Sequence, residues 1–260
     1  NTGMRPGPRH RRGPRPLLLH LTLAMLKSGA SLSGLPNSSA DWAGWLRREA
    51  GAPGPDAASL AQAVLRETTA QDRALIAGIA AYRRHPWTRD LADPPALWAE
   101  GGSRLLDYGG AGRPVLFVPS LVNRAHVLDL AEGRSLLRFL AANGVRPLLL
   151  DWGWPGAVER RFSLTDYVAG RLERALVAAG KPVVLAGYCM GGLLAVAAAQ
   201  RQPERVAGLA LLATPWDFHA ADAEAAQRLA ATLPLLEPAM ALSGTLPIDA
   251  LQMLFAMLDP

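Results

Sequence analysis

Val183-Val184-Leu185-Ala186-Gly187-Tyr188-Cys189-Met190-Gly191-Gly192 is the stretch on which the reading of this chain turns. Its first four residues are all apolar, as expected of a strand buried on both faces. Met190 to Gln200 is rich in alanine and leucine and predicts a helix. Between the two lies Gly-x-Cys-x-Gly. A strand that passes into a helix over so few residues needs a sharp, strained turn. Side chains at Gly187 and Gly191 would collide there with the neighbouring strand and helix. Such a turn pushes the Cys189 sulfur into a cleft and sets it at a helix N-terminus, where the dipole favours negative charge. Cys189 is therefore the candidate nucleophile. A cysteine buried in a tight packing turn is the alternative, and it leaves the three surrounding glycines unexplained.

Working outward, strands and helices alternate. Val115–Val118 is an apolar run ended by Pro119, and the loop Ser120–Arg124 follows. Ser135–Ala142 predicts an amphipathic helix stopped by Asn143-Gly144. Pro147–Leu150 predicts a strand running into Asp151-Trp152-Gly153. Thr165–Ala179 predicts a helix with a cap at Ser163 or Thr165 and an end at Gly180. Val206–Ala213 predicts a further strand. This order implies an α/β fold, a parallel sheet with helices on both faces. Ligands in such sheets bind beyond the carboxyl ends of the strands, here at 119–124, 151–154, 187–192 and 213–219. No strand is read before residue 104. The expected organisation is a disordered basic arm over 1–16, a helical N-terminal region over 17–103, the core over 104–218, and the start of a helical cap over 219–260. Within the second segment, Arg66–Tyr82 is the clearest helix.

Composition narrows the function classes. The chain has 260 residues, half of them apolar and 19% charged, which excludes a mostly disordered protein and allows one large core. The net charge of +5 equals the five arginines of residues 1–16, so the rest of the chain is neutral. A neutral body lacks the basic face of a nucleic-acid-binding domain. The single cysteine excludes an internal disulfide. The apolar run Pro16–Leu26 is short, broken by His20 and closed by Lys27, unlike a secretory signal, and nothing is long enough to span a bilayer.

An acylated cysteine needs an oxyanion hole. In this architecture the amide after the nucleophile, here Met190, is one donor. The loop after an earlier strand supplies the second, here Leu121. Together the segments resemble the polyhydroxyalkanoate synthases, the cysteine branch of the α/β-hydrolase fold. The matching stretches are Leu-Val-Asn-Arg (121–124), Val-Leu-Asp-Leu (127–130), Asp-Trp-Gly (151–153), Leu-Thr-Asp-Tyr (164–167), Gly-Tyr-Cys-Met-Gly-Gly (187–192) and Thr-Pro-Trp-Asp-Phe (214–218). The Asp-Trp-Gly and Gly-Tyr-Cys-Met-Gly-Gly forms are most similar to the short-subunit synthases, which work with a second protein. The resemblance implies an acyltransferase that polymerises 3-hydroxyacyl-coenzyme A into polyester through an acyl-Cys189 intermediate.

It also implies the partners: 3-hydroxyacyl-coenzyme A, the growing polyester chain, and a second synthase subunit or a second copy of the chain. No nucleic acid, membrane span, metal or other cofactor is implied. The implied location is the cytoplasm, at the surface of polyester granules. In the family, the acid and base follow two further strands beyond the elbow. No such strand pair is read after Ala213, so both residues are expected outside residues 1–260, and the chain alone is expected to be inactive. Among the histidines, His219 is the only one downstream of Cys189, and it reads as a surface or cap residue. His126 reads as structural or as part of a substrate wall, and Asp151 and Asp217 read as structural. Trp152 and Trp216 follow strand ends and are candidates for a substrate wall. The rival readings are a thioesterase or polyester depolymerase on the same fold, and a non-catalytic granule-associated partner.

Overall fold

A computed structural model describes residues 13–33, 56–217, 219–220 and 223–258. Residues 1–12, which make up most of the expected arm and include His10, lie outside the described residues. The chain divides into two compact units, residues 1–87 with 233–260, and residues 88–232.

In the first unit, helix α1 (Leu17–Ser33) and helix α2 (Ala57–Arg84) pack together. Asp56 caps α2 by accepting from the Ser59 amide at 2.9 Å. The Ser28 hydroxyl donates to Asp72 at 2.9 Å and joins the two helices. Two further helices, Leu233–Ser243 and Ile248–Leu258, belong to this unit. Among the described residues, no helix is long and apolar enough to cross a membrane.

The second unit is built on a six-stranded sheet. Its strands are β1 (Ala96–Glu100), β2 (Ser103–Asp107), β3 (Pro114–Val118), β6 (Arg146–Asp151), β7 (Val183–Tyr188) and β8 (Val206–Leu212). They lie in the order β1-β2-β6-β3-β7-β8. The pairs β6–β3, β3–β7 and β7–β8 are parallel, as expected from buried apolar runs joined by helices. A small hairpin of β4 (Asp129–Ala131) and β5 (Arg134–Ser135) precedes helix α3 (Leu136–Ala142), whose cap is Ser135. The other helices of the layer are α4 (Glu173–Ala178) and α5 (Gly191–Arg201). Leu116, Val118, Leu148, Leu150 and Leu185 face Leu172, Leu176 and Leu194 on one side of the sheet. Phe117, Leu149 and Ala186 face Leu137 on the other. Both faces are therefore covered.

The structure corrects two readings of the sequence. Strands begin at residue 96, not after 104, and β1 and β2 form an antiparallel hairpin at one edge. Gly101, with φ +57°, makes the turn. Glu159 and Glu100 brace it. Glu159 accepts from the Gly102 amide at 3.4 Å, and Arg171 pairs with Glu159 at 2.9 Å and also with Glu100. These two strands are short and mixed in polarity, so they lack the apolar run that marks the central ones. The second correction concerns the predicted helix 165–179. It begins α-helical at Leu164 and Thr165, passes through a π-helical segment, Asp166–Leu172, and returns to α-helix at α4. The cap at Ser163 is real and reciprocal. The Ser163 amide donates to Asp166 at 2.8 Å, and the Asp166 amide donates to the Ser163 hydroxyl at 3.3 Å.

Asp129 fixes the periphery of this unit. It is fully buried and accepts from Arg89 at 2.7 Å, Arg138 at 2.8 Å and the Tyr108 hydroxyl at 3.0 Å. Burial opposes its ionisation, but the hydrogen bonds from Arg138, Ser135 and Tyr108 outweigh that and hold its pKa at about 2. A carboxylate depressed on folding stabilises the protein above its unfolded pKa, and that contribution is lost as pH falls toward 2. Asp129→Asn should therefore cost about 2–3 kcal/mol at neutral pH. Urea unfolding at pH 7 and pH 3 checks this. The gap between wild type and variant should narrow at the lower pH, and a constant gap would contradict the account.

Candidate active site

The elbow is assembled by three strands. Gly187 in β7 lies in register with Val118 of β3 and Leu211 of β8. The Cys189 amide donates to Leu212 O at 2.9 Å, which carries the β7–β8 ladder one residue past the strand. There the backbone reverses. Cys189 has φ +55°, a conformation that is costly for a residue with a side chain and persists only where the surroundings enforce it. One turn later, Gly192 N donates to Cys189 O at 2.9 Å and Leu193 N to Met190 O at 3.0 Å, and α5 is under way.

Sterics make glycine obligatory around this turn. A Cβ on Gly187 would overlap the backbone of Gly192 and reach Ala195 Cβ at 3.1 Å. One on Gly191 would run into Val118 O and lie 2.6 Å from Pro119 O. One on Gly192 would overlap the Thr214 side chain. The first two meet backbone, which cannot swing aside. Thus α5 starts in direct contact with the end of β3 and the loop after it.

That loop is held from several directions. Trp152 Nε1 donates to Pro119 O at 2.9 Å, and the Ser120 hydroxyl, itself buried, accepts from Val122 N at 3.0 Å. Leu121 packs against the core. Among the described residues, the amides of Leu121 and Met190 donate to no protein acceptor. Cys189 is a half-buried free thiol.

The remaining candidates separate. Trp152 is only 7% exposed, meets Tyr167 edge-on at 5.5 Å between ring centroids, and belongs to the core. It supports the loop from below and does not line a substrate wall. Trp216 is 72% exposed. Asp151 is spent structurally, accepting from Gly153 N at 3.0 Å and pairing with Arg104 at 2.8 Å. His219 and Asp217 are both exposed; the His219 amide donates to Asp217 at 2.9 Å, and the ring nitrogen Nδ1 lies 3.8 Å from the same carboxylate. His126 stands in the 3₁₀ turn Ala125–Leu128, where burial and then the charges of Arg124 and Arg89 push its pKa down.

Two contributors were missed in the sequence. Thr214 packs on Gly192 with a buried, unpartnered hydroxyl. It belongs to the Thr-Pro-Trp-Asp-Phe stretch, which was its only signal. Arg124 places its guanidinium 4.9 Å from the centre of the Trp154 ring.

This geometry defines an α/β-hydrolase-type fold, and residues 114–240 match the family model described as alpha/beta hydrolase fold. Sequence similarity to curated proteins is narrower and bears out the likeness to polyhydroxyalkanoate synthases. Over 159 residues the chain is 34% identical to the poly(3-hydroxyalkanoate) polymerase subunit PhaC of Synechocystis sp., covering 56% of this chain and 41% of that protein. The same-named subunit of Allochromatium vinosum is 36% identical over 114 residues, covering 42% of this chain and 32% of that protein. That of Haloferax mediterranei is 33% identical over 127 residues, covering 45% and 26%. The matched stretches thus span less than half the length of these relatives.

The packing at the elbow is testable without any substrate. Gly191→Ala should destabilise by about 3 kcal/mol, because its Cβ meets carbonyl groups that cannot move. Gly170→Ala, whose Cβ would have only Arg174 Nη2 at 3.5 Å, should be neutral or gain up to about 1 kcal/mol. Denaturant unfolding compares them, and equal stability of the two variants would contradict the close approach of α5 to β3.

Proposed function

We propose that this chain carries the acylating centre of a polyhydroxyalkanoate synthase, with Cys189 as the nucleophile. The observation that carries the reading is the Cys189 backbone at φ +55° between β7 and α5, together with amides at Met190 and Leu121 that, among the described residues, donate to no protein acceptor. The similarity to proteins named poly(3-hydroxyalkanoate) polymerases supports the choice of substrate.

In the proposed reaction, the Cys189 sulfur attacks the thioester carbonyl of a 3-hydroxyacyl-coenzyme A. The developing oxyanion is held by the amides of Met190 and Leu121. The carbon–sulfur bond to coenzyme A breaks, its thiolate leaves, and the hydroxyacyl group stays on Cys189. The hydroxyl of a growing polyester then attacks this new thioester. An oxoester bond forms as the bond to the Cys189 sulfur breaks, and the hydroxyl proton, carried by a base, is passed to that sulfur to restore the thiol. Cysteine suits this sequence. Exchange between two thioesters is nearly neutral in energy, so the acyl-enzyme keeps its activation for making an oxoester. A serine acyl-enzyme would already have spent it. Acylation of Cys189 is the step assigned to the described residues. The granule surface, where the polyester grows, is the proposed site of action, with a second synthase subunit or a second copy as partner.

Incubation with 3-hydroxybutyryl-coenzyme A followed by intact-mass measurement tests the proposal. Wild type should gain one hydroxybutyryl unit and release coenzyme A, and Cys189→Ala should gain none. Rapid release of free hydroxy acid would instead indicate a hydrolase. An unmodified wild-type protein, with a thiol that alkylates no faster than a free one, would remove the catalytic reading.

A further inference from the structure

A second group of polar side chains gathers at the carboxyl end of the sheet, away from the elbow. It surrounds a cavity of about 110 Å³ lined by Arg89, Arg104, Arg124, His126, Asp93 and Asp151, over an apolar floor from β2 and β6. Asp151 is the last residue of β6, and Arg104 lies opposite it in β2. β6 and β7 flank β3 on opposite sides, so the ends of β6 and β7 are two strand spacings apart, on the order of 10 Å.

The charges around this cavity do not balance. Arg89 is taken up by Asp129 and Asp93, and Arg104 by Asp93 and Asp151. Among the described residues, Arg124 has no carboxylate partner, its buried Nε and Nη1 have no hydrogen-bond partner, and its guanidinium lies against the face of Trp154. Leaving two buried donors of a half-buried cation unmatched is costly, because those N–H groups have lost water without gaining an acceptor. Counting Arg138, which shares Asp129, four guanidinium groups (Arg89, Arg104, Arg124, Arg138) stand against three carboxylates (Asp93, Asp129, Asp151), which leaves an excess positive charge beside this small polar space. That arrangement suits a compact anion carrying more than one charge, which can engage Arg124 and draw on the field of Arg89 and Arg104 together.

We propose that this cavity is a phosphoryl-binding subsite whose free cation is Arg124. It is distinct from the elbow, and its occupancy does not depend on Cys189 chemistry. Two sources share the chemistry: free inorganic phosphate, and a phosphate of coenzyme A. The second would tie this subsite to the proposed substrate, since it opens at the same end of the sheet as Cys189.

Calorimetric titration of the full chain separates the outcomes. Inorganic phosphate should bind wild type saturably, and Arg124→Gln should weaken binding at least tenfold with an unchanged circular dichroism spectrum. Arg124→Lys, which keeps the charge, should retain intermediate affinity and serves where the glutamine variant folds poorly. Coenzyme A binding that weakens with Arg124→Gln and is lost for dephospho-coenzyme A assigns the subsite to the 3′-phosphate. Phosphate binding together with equal binding of the two coenzymes assigns it to free phosphate or to the pyrophosphate. Absence of phosphate and coenzyme A binding, or binding indifferent to both Arg124 substitutions, overturns the proposal. Because the readout is binding alone, it fails or succeeds separately from acylation of Cys189.

Discussion

The backbone reversal at Cys189 is the constraint around which the α/β unit is arranged. A residue with a side chain holds φ +55° only because β7 is locked between β3 and β8 while α5 is pressed against the end of β3. Three glycines permit that contact, and each is matched to a different neighbour. Gly187 admits the first turn of α5, Gly191 admits the carbonyls of Val118 and Pro119, and Gly192 admits Thr214. Cys189, the loop bearing Leu121 and the end of β8 are thereby brought to one place by backbone contacts.

Supporting groups act on this frame from outside. Trp152 is an example: placed at the end of β6, it reaches back with its indole N–H to Pro119 O. The aromatic ring fills core while its one polar atom fixes the loop that follows β3. Asp151, next to it, is occupied by Gly153 and Arg104, so the tight turn and the β2 strand are coupled at the same point. Asp129 does comparable work at the periphery, pulling Arg89, Arg138 and Tyr108 onto one carboxylate.

The central strands were legible because burial on both faces demands unbroken apolar runs, and Val115–Val118 and Val183–Ala186 are such runs. The elbow was legible for a related reason, since backbone contact leaves no residue but glycine. The β1–β2 hairpin was not, because β1, at the edge, is half exposed and β2 is interrupted by Arg104 and Asp107, so neither carries an unbroken apolar run. The π-helical segment Asp166–Leu172 was not, because its side-chain spacing is close to that of an α-helix over so short a length. Trp152 and Arg124 illustrate a further limit. The sequence placed both next to strand ends but could not say which way each side chain turns. One proved to be core, the other a half-buried cation over Trp154.

The account stands on the relation between one sulfur and two amides. A crystal structure of the chain alkylated at Cys189 with a chloromethyl ketone analogue of a 3-hydroxyacyl group would display it directly. The account predicts the ketone-derived oxygen within hydrogen-bond distance of both Met190 N and Leu121 N, with the Cys189 backbone still at positive φ. An adduct oxygen directed away from both amides, or an elbow relaxed to ordinary helix, would contradict it.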